Sequence, residues 1–400
     1  MNILELVQRE GERQKSSLNL IASENYVSDY VRGVLGTVFT NKYAEGYPGK
    51  RWYGGCEFTD QAEQHAIDLA KQLFKADHAN VQPHSGTQAN LSAYFAMLNP
   101  GDKVLAFKLE HGGHLSHGAP FNASGKYYKF VHYGVRKDDG LIDEAEFVAQ
   151  LDAHPDIKLV VTGASSYPRA INFEKLGAIA KERGKLFMAD IAHISGLVAA
   201  GVHPSPVPVS DFVTMSTHKT IRGPRGGMVL CSKKWASKLD RAVFPGTQGG
   251  PLVHVIAAKA AMLEEALKPE FVAYQKQVVA NAKAMAKAFT EINPRRYRVI
   301  TGGTDNHMVM VDITGTGKNG KEIEDLVGAQ GVYVNKNFIP YDPRPNTETS
   351  GMRVGTPMVT TLGAREADMP RIVQFIDKAI SGENVKREVS AFMSEIESRR

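Results

Sequence analysis

Short apolar segments alternate with amphipathic helical segments through the middle of the chain, from residue 59 to about residue 265. The first of these helices is predicted over residues 59–74, with Thr59 as its N-cap. The apolar segments have the length of buried strands and cover residues 103–107, 159–162, 185–189, 212–215 and 227–230. This alternation is typical of an α/β domain built around a mostly parallel sheet.

The pattern changes after two predicted helices, 252–267 and 272–289, which flank Lys268 and Pro269. Beyond them we predict strands at 309–312 and 331–334, a loop at 335–351 and a closing helix from Pro370. The charged tail, 386–400, is predicted as a solvated helix face. We therefore predict two domains, an N-terminal arm plus large α/β domain over residues 1–268 and a smaller C-terminal α+β domain over residues 269–400.

The first 60 residues combine an amphipathic opening helix with loops in which tyrosines stand beside glycines. Such loops are more typical of recognition than of a core. The N-terminal segment contains acids and lacks an apolar centre, so we expect no signal or transit peptide and a cytoplasmic protein. No run of about 18 uncharged apolar residues occurs, which predicts no membrane span.

Composition and charge narrow the class of protein only slightly. A chain of 400 residues with 42% hydrophobic and 23% charged residues is ordinary for a globular protein. The 48 basic residues exceed the 43 acidic ones, but the net charge of +5 is scattered, which disfavours a nucleic-acid partner. Cys56 and Cys231 lie far apart, and we expect two buried thiols.

Candidate chemistry begins at Lys219, which follows the strand 212–215 and precedes a glycine-rich turn. Burial disfavours the ammonium form of a lysine, lowers its pKa and makes the amine nucleophilic. A neutral lysine suits Schiff-base formation with a carbonyl, and the commonest bound carbonyl is that of pyridoxal 5'-phosphate. For Lys219 alone, a lysine that ends a strand at the surface remains the alternative.

Asp190 closes the predicted strand 185–189, at the end of the sheet where α/β proteins bind ligands. An acid there can keep the pyridine nitrogen of the cofactor protonated, and a helix N-cap is the alternative role. His193, three residues later, could reach the phenolic oxygen of the cofactor. This position therefore predicts the polar end of a cofactor site.

Two further segments offer groups for anions. Ser85, Gly86 and Thr87 link a strand end to a helix start, so their hydroxyls and free N–H groups could bind a phosphate, with simple capping as the alternative. Arg353 stands between glycines, and its guanidinium matches a carboxylate in a bidentate manner, although a surface arginine is the default expectation.

Three histidines occur in the string His111-Gly-Gly-His-Leu-Ser-His117. No cysteine or acid lies close in sequence to complete a zinc shell, so we expect no metal and assign His114 to stacking on a flat cofactor. A strand-end lysine, a strand-end acid, a phosphate turn and a carboxylate-binding arginine together predict one pyridoxal phosphate site.

The same segments resemble the serine hydroxymethyltransferase family over nearly the whole chain. The matching strings are Leu20-Ile-Ala-Ser-Glu-Asn25, Asn41-Lys-Tyr-Ala-Glu-Gly-Tyr-Pro-Gly-Lys50, His84-Ser-Gly-Thr-Gln-Ala-Asn90, His111-Gly-Gly-His-Leu-Ser-His-Gly118, Asp190-Ile-Ala-His-Ile-Ser-Gly196, Thr217-His-Lys-Thr-Ile-Arg-Gly223 and Phe244-Pro-Gly-Thr-Gln-Gly-Gly-Pro251. The resemblance implies an aspartate-aminotransferase-like fold, that of the fold type I pyridoxal phosphate enzymes. It also implies an obligate homodimer, possibly doubled to a tetramer, with active sites at the subunit interface.

The resemblance implies a role for each matching residue. Lys219 would bind the cofactor covalently, Asp190 would pair with the pyridine nitrogen, and His114 would stack on the ring. The other implied contacts are His193 and Ser165 at the phenolic oxygen; Ser85, Gly86, Thr87 and His218 at the phosphate, with Tyr43, Gly249 and Gly250 from the neighbouring chain; Arg353 and Ser28 at the amino acid carboxylate; Glu45 and Tyr53 at the proton of the serine hydroxyl or the folate; and Leu109, Gly113 and Leu115 beside the pterin. The residues expected to be catalytic are Lys219, Glu45, His114, Asp190, His218 and Tyr53.

The implied activity is reversible transfer of the hydroxymethyl group of L-serine to tetrahydrofolate, giving glycine and 5,10-methylenetetrahydrofolate. Trp52 stands where the family usually has tyrosine, Ser216 lies in a threonine-rich run, and residues 342–349 lack the usual Ser-Pro-Phe. The altered loop leaves open a folate-independent aldolase acting on threonine or other β-hydroxy amino acids. The sequence pI of about 8.9 leaves open a non-catalytic regulator that binds a cofactor or RNA.

Overall fold

The strands of the protein form one large and three smaller sheets in a computed structural model that describes residues 2–399. In chain order the strands are β1 Leu18–Asn19, β2 Gly46–Tyr47, β3 Lys50–Arg51, β4 His78–Asn80, β5 Lys103–Phe107, β6 Lys129–Tyr133, β7 Ile157–Gly163, β8 Leu186–Asp190, β9 Phe212–Ser216, β10 Gly227–Cys231, β11 Arg298–Val299, β12 Met308–Asp312, β13 Val332–Tyr333, β14 Asn335–Asn337 and β15 Gly351–Gly355.

The helices pack on these sheets. They are α1 Ile3–Ser16, α2 Asp29–Leu35, α3 Glu57–Phe74, α4 Gly86–Met97, α5 Ala123–Tyr127, α6 Glu144–Ala153, α7 Phe173–Glu182, α8 Ser195–Ala199, α9 Ala236–Arg241, α10 Val253–Ala266, α11 Pro269–Ile292, α12 Gly320–Gly328, α13 Pro357–Thr361, α14 Met369–Ile380 and α15 Lys386–Glu397.

The large sheet has seven strands in the order β4-β10-β9-β8-β7-β5-β6. The pairings from β9 to β6 are parallel, and β10 runs antiparallel to both of its neighbours. Residues of both faces of β9 and β10 are buried, as expected for strands covered by helices on two sides. The predicted α/β class with a mostly parallel sheet is therefore confirmed, and each of the five predicted strands is present within one or two residues at each end.

One predicted helix start is wrong. Helix α3 begins at Glu57 with Cys56 at the N-cap position, so Thr59 lies inside the first turn. The side chain of Thr59 is buried there, while Glu57 and Asp60 place negative charge at the helix start. Acidic residues in a first turn interact favourably with the helix dipole, which explains why the helix extends past the predicted cap.

A second, four-stranded antiparallel sheet has the order β11-β12-β15-β14. The segment 335–351 is predicted as a loop, but β14 occupies its first three residues and β15 begins at its last residue. That prediction is therefore wrong at both ends. The prediction that residues 386–400 are a solvated helix face is confirmed only in part for the described residues, because the helix is present and its charged side is exposed. Helix α15 packs one face into this second core through Val389, Phe392, Met393 and Ile396.

Two hydrophobic cores meet along α11. Phe271, near the start of this helix, lies in the core of the large sheet, and Phe289, near its end, lies in the core of the second sheet. The second core also includes Leu18 and Leu20, because β1 pairs in parallel with β13. The predicted domain boundary between residues 268 and 269 lies at the start of α11. Because α11 packs on both cores, it belongs to neither alone, and the boundary stays a prediction.

The opening helix α1 is present as predicted, but none of its residues is buried. Ile3, Leu4 and Val7 stand exposed along it. Within residues 2–399, no helix combines the length and the apolar character needed to cross a bilayer.

Candidate active site

A pocket of about 510 Å³ opens where β7, β8 and β9 end beside the first turn of α4. Parallel strands present their carboxyl ends at one edge, which is where α/β proteins place ligands. The pocket is lined by Ser23, Glu24, Ser85, Gly86, Thr87, Asn90, His114, Ala164, Ser165, Asp190, Ala192, His193, Ser216, His218, Lys219, Arg225 and Arg353.

Lys219 follows β9 and lies in a turn that is held by a hydrogen bond between its two ends. The N–H of Gly223 donates to the carbonyl of Thr217 at 2.7 Å, and Nδ2 of Asn25 donates to the carbonyl of Lys219 at 3.1 Å. Burial lowers the pKa of Lys219 to about 8, against the opposing effect of the Asp190 carboxylate. A substantial fraction of this amine is therefore neutral and nucleophilic under mildly alkaline conditions.

Asp190 ends β8 and is held by three donors. Oδ2 accepts from Nδ2 of Asn90 at 2.8 Å and lies 2.9 Å from Nε2 of His117, while Oδ1 accepts from the N–H of Ala192 at 2.9 Å. Burial alone would raise the pKa of Asp190, but the hydrogen bonds from His117 and Asn90 hold that pKa well below its usual range. The pocket thus keeps a fixed negative charge that can pair with a protonated ring nitrogen.

The ring of His114 reaches the same pocket. Its Nδ1 lies 2.6 Å from Oγ of Ser116, which also accepts from Nδ2 of Asn90 at 2.8 Å. Burial lowers the pKa of His114 to about 4. A neutral imidazole, oriented by Ser116, is suited to stacking on a flat aromatic ligand.

His114, His117 and Asp190 also offer ligand atoms that all lie within 4.8 Å of one another. Sequence spacing did not reveal this acid beside the histidines, because Asp190 is more than 70 residues away. The hydrogen bonds described above already use the facing atoms of all three side chains. The expectation that no metal is required stays a prediction.

The first turn of α4 forms a cradle for an anion, consisting of Ser85, Gly86 and Thr87. Ser85 is the N-cap, and its hydroxyl accepts from the N–H of Gln88 at 3.2 Å. The helix is 12 residues long, so its free N–H groups and dipole favour negative charge at this end.

Arg225 adds positive charge to the same end of the pocket, and the imidazole of His218 lies there as well. Nδ1 of His218 is buried without a partner among the described residues, and burial lowers the pKa of this histidine to about 3. An unpaired buried donor or acceptor is costly, and a ligand phosphate would satisfy it. With an amine in the pocket and an acid held by His117, the residues present fit pyridoxal phosphate.

Arg353 reaches the pocket from β15 of the second sheet. Its Nε donates to Oδ1 of Asn335 at 3.0 Å, and its Nη1 donates to the carbonyl of Ser165 at 2.6 Å. Burial lowers the pKa of Arg353 to about 10, so it remains charged at neutral pH. The protein contacts use Nε and Nη1, which leaves Nη2 for a ligand carboxylate.

A neighbouring pocket of about 560 Å³ shares His114, Ser165 and Arg353 with the first one. Leu109, Gly113, Leu115, Pro120 and Phe121 give it an apolar side, and Lys336, Asn337, Phe338, Asn346 and Thr349 close the other side. Leu109, Gly113 and Leu115, predicted to border a pterin, are therefore brought together next to the first pocket.

Several predicted site residues lie outside both pockets. Tyr43 and Tyr53 make an edge-to-face contact with ring centroids 5.1 Å apart, and the Tyr43 hydroxyl donates to Oε1 of Glu45 at 3.3 Å. A Cβ atom on Gly249 would lie 3.3 Å from the same Oε1, and one on Gly250 would lie 3.0 Å from the Tyr43 ring. We name Tyr43, Glu45, Tyr53, Gly249 and Gly250 the tyrosine cluster.

The tyrosine cluster is exposed in the single chain, with 54% of Tyr43 and 47% of Tyr53 accessible. Trp52, beside it, is 75% accessible. Ser28 is also away from the pocket and caps α2 by accepting from the N–H of Val31 at 3.1 Å. Within one chain none of these residues lines the pocket that contains Lys219.

The sequence prediction missed other residues of the site, namely Glu24, Asn90, Ser116, His117, Arg225 and Asn335. Asn90 follows Gly86 by four positions, one helical turn, so it faces the pocket with the cradle. That spacing could have identified Asn90 as a site residue from the sequence. His117 and Asn335 act through contacts with residues distant in the chain, which spacing does not reveal.

Comparison with known proteins gives one family. The sequence model described as serine hydroxymethyltransferase matches residues 1–376 of the 400-residue chain.

Proposed function

The chain belongs to the serine hydroxymethyltransferase family, and from this premise we propose that it transfers the hydroxymethyl group of L-serine reversibly to tetrahydrofolate. Such enzymes use pyridoxal phosphate bound to a lysine, with tetrahydrofolate as co-substrate. The products are glycine and 5,10-methylenetetrahydrofolate. The observation on which the proposal rests is the placement of Lys219 between the Asp190 carboxylate, Arg353 and the anion cradle in one pocket.

Five parts of the cofactor would each have their own residues. Lys219 would link to its carbonyl, Asp190 would pair with the ring nitrogen, and His114 would stack on the ring. The phosphate would lie at Ser85, Gly86, Thr87 and His218, and the phenolic oxygen at Ser165 and His193. When bound, pyridoxal phosphate supplies a conjugated ring that takes up the electron pair of the broken Cα–Cβ bond.

In the proposed mechanism, Asp190 supplies a fixed negative charge beside the ring nitrogen of the cofactor. Because His117 and Asn90 keep it ionised, its charge opposes loss of the proton from the ring nitrogen. Asn90 is itself fixed, since its Oδ1 accepts from Oγ1 of Thr214 at 2.5 Å. The carboxylate therefore needs no rearrangement when charge develops, which is the condition for preorganised stabilisation.

Arg353 would bind the carboxylate of serine and glycine. Its guanidinium is held on two sides by Asn335 and Ser165, so little side-chain freedom is lost when a ligand binds. Ser165 and Arg353 line both pockets, so the amino acid would lie between the cofactor site and the folate site.

We further propose that two chains complete each site. The tyrosine cluster and Ser28 lie away from the pocket of their own chain, yet Glu45 is the residue proposed to manage the proton of the serine hydroxyl or the folate. A homodimer that brings Glu45, Tyr53, Tyr43, Gly249 and Gly250 to the pocket of the second copy would cover the exposed aromatic side chains. The mass of the protein in solution would distinguish a dimer from a tetramer made of two dimers.

The proposal is tested by the visible spectrum of the purified protein, before and after addition of glycine and then tetrahydrofolate. We expect a yellow band that borohydride removes and a red-shifted band that appears only with both ligands. A protein that responds to glycine but ignores tetrahydrofolate would instead be the aldolase. Absence of any cofactor band after addition of pyridoxal phosphate would contradict both assignments.

A further inference from the structure

Lys259, in the middle of α10, is a lysine with 1% of its surface exposed. Its Nζ donates to three backbone carbonyls, those of Val81 at 2.6 Å, Pro83 at 3.0 Å and Gly227 at 2.8 Å. An ammonium has three N–H donors, so all of them are used. Because every N–H donor of the ammonium has a partner, this is a specific binding arrangement for the Lys259 side chain.

No carboxylate of residues 2–399 lies within 4.0 Å of this ammonium. Glu63 is the acid that acts on Lys259 electrostatically, but its oxygens accept from Arg51 at 2.6 Å and from Gln82 at 2.7 Å. Burial lowers the pKa of Lys259 to about 7. A buried cation without a close counter-ion is costly in free energy, and an anion bound nearby would favour its ammonium form.

The atoms that Lys259 contacts lie directly behind the anion cradle. Pro83 is two residues before Ser85, and its carbonyl also accepts from the N–H of Gly227 at 2.9 Å. A Cβ on Gly227 would lie 2.3 Å from the carbonyl oxygen of Ser85 and 3.2 Å from the N of Gly86. One ammonium therefore ties together the two backbone segments that pack against each other to form the back of the cradle.

We propose that Lys259 is a positioning residue for a bound phosphate monoester, acting through the cradle at Ser85, Gly86 and Thr87. Its hydrogen bonds fix the segment before α4 against the start of β10. Its ammonium form, which no carboxylate of residues 2–399 pairs within 4.0 Å, favours a dianion on the far side of that segment. The proposal rests on the function proposed above, because it takes the cradle as the phosphate site.

The two parts of this role can be separated by substitution. Lys259→Met keeps the apolar stem, one atom shorter, and removes both charge and donors, whereas Lys259→Gln, which has the same length as methionine, keeps two N–H donors without charge. A purely structural tether would be largely replaced by glutamine, since neutral donors can satisfy carbonyls. If the charge acts on the ligand, glutamine will not restore phosphate affinity.

The measurement compares the affinities of the apoprotein for pyridoxal phosphate and for pyridoxal, which has the same carbonyl and ring but no phosphate. Both bind Lys219 in the same way, so their ratio isolates the phosphate. We expect Lys259→Met and Lys259→Gln to lower the affinity for pyridoxal phosphate by roughly tenfold relative to that for pyridoxal. Inorganic phosphate should raise the melting temperature of the wild-type apoprotein more than that of either variant.

Asn281→Leu is the control for general loss of stability. Asn281 is also fully buried and donates to the carbonyl of Ala364 at 2.9 Å, but in the second core. It should lower the melting temperature without changing the affinity ratio. If Lys259→Met does not fold, Lys259→Gln provides the same comparison.

An unchanged ratio in a folded Lys259 variant would overturn the role of Lys259 while leaving the proposed function intact. A wild-type protein that binds neither pyridoxal phosphate nor inorganic phosphate would overturn the proposed function and the cradle with it. A ratio lowered in Lys259→Met but restored in Lys259→Gln would reduce Lys259 to a tether and contradict the role of its charge.

Discussion

The imidazole rings of His193 and His307 are stacked, with ring centroids 5.5 Å apart and Nδ1 of His193 3.3 Å from Nε2 of His307. Both side chains are buried, and Nδ1 of His307 has no partner among the described residues. Burial lowers the pKa of both histidines, that of His307 to about 3. The pair is therefore neutral, with one proton between the facing nitrogens, and this fixes the ring of His193 at the pocket.

The first prediction concerns acid stability. Burial lowers the pKa of His114 to about 4 and of His218 and His307 to about 3, and it also lowers the pKa of His193. Below pH 6.5 the unfolded chain binds protons that the native apoprotein does not, so the free energy of unfolding falls as pH falls from 6.5 towards 4. Each such histidine contributes about 1.4 kcal/mol per pH unit in this range.

Urea denaturation of the apoprotein at pH 7, 6 and 5 measures this slope. His307→Gln should reduce the slope by the contribution of one proton, whatever it does to the stability at pH 7. A free energy of unfolding that is constant between pH 6.5 and 5 would show that these histidines are not held neutral.

The second prediction is that Lys219→Ala abolishes turnover and the borohydride-sensitive yellow band. The fold should be retained, because the variant removes an ammonium whose burial is unfavourable. Circular dichroism and the serine cleavage rate report on the two effects separately. Lys233→Ala, a change of an exposed lysine after β10, is the control and should leave both unchanged. Near-normal turnover in Lys219→Ala would remove this lysine from the mechanism.

The third prediction is that Arg353→Ala weakens serine binding by about 1.5 to 3 kcal/mol, the range for hydrogen bonds to charged groups. The matched control is Arg298→Ala, because Arg298 is an exposed arginine of the same sheet that pairs with Asp312 at 2.8 Å. Titration with serine and glycine, followed in the visible spectrum, gives both affinities. Equal affinities in the two variants would reject the carboxylate assignment.

The fourth prediction tests whether sites are shared between chains. Lys219→Ala and Glu45→Ala chains, each inactive alone, should regain activity after being unfolded and refolded together. Half of the dimers are then mixed and each has one intact site, so about a quarter of the wild-type rate is expected.

A mixture of Glu45→Ala and Tyr53→Ala is the control for this experiment. Both changes lie in the tyrosine cluster, so no mixed dimer has an intact site if that cluster acts across the interface. Failure of the first mixture to recover, with the dimer present by sedimentation, would place Glu45 in the site of its own chain.

The fifth prediction concerns the end of the chain. The family match ends at residue 376, yet Phe392 of α15 is fully buried and contacts Phe375 with ring centroids 5.6 Å apart. Phe392→Ala should therefore lower the free energy of unfolding by about 3 to 5 kcal/mol. Arg387→Ala, on the exposed face of the same helix, should have little effect. Equal denaturation midpoints would mean that α15 contributes nothing to the second core.

Five of the seven strands of the large sheet could be predicted from the sequence because they are largely apolar runs. Strands β4 and β6 were missed because polar residues interrupt them. The end of β8 at Asp190 follows directly from such a run. Strand β15 was missed because its five residues include two glycines and Arg353, a composition that is unusual for a strand. The buried face of α15 was missed because its four apolar side chains are diluted by charged neighbours.

The residues of the candidate site can also be divided into those that the sequence predicts and those that only the fold reveals. Lys219 and Asp190 could be predicted because chain position alone places them at strand ends. The contacts that set their properties, such as His117 on Asp190 or Asn335 on Arg353, join segments that no local pattern connects. Sequence reasoning therefore placed Lys219 and Asp190 at one edge of the sheet, and the fold was needed to explain their charge.

The pairing of β1 with β13 imposes an order on biosynthesis. The core around the large sheet draws on residues from Val31 to Val279, so it can form while the ribosome is still adding the last third of the chain. Leu18 and Leu20 must wait for Val332 and Phe392, which emerge last. Until then the nascent protein exposes an unpaired strand and two apolar side chains of the second core, so this is the interval in which it is most open to aggregation.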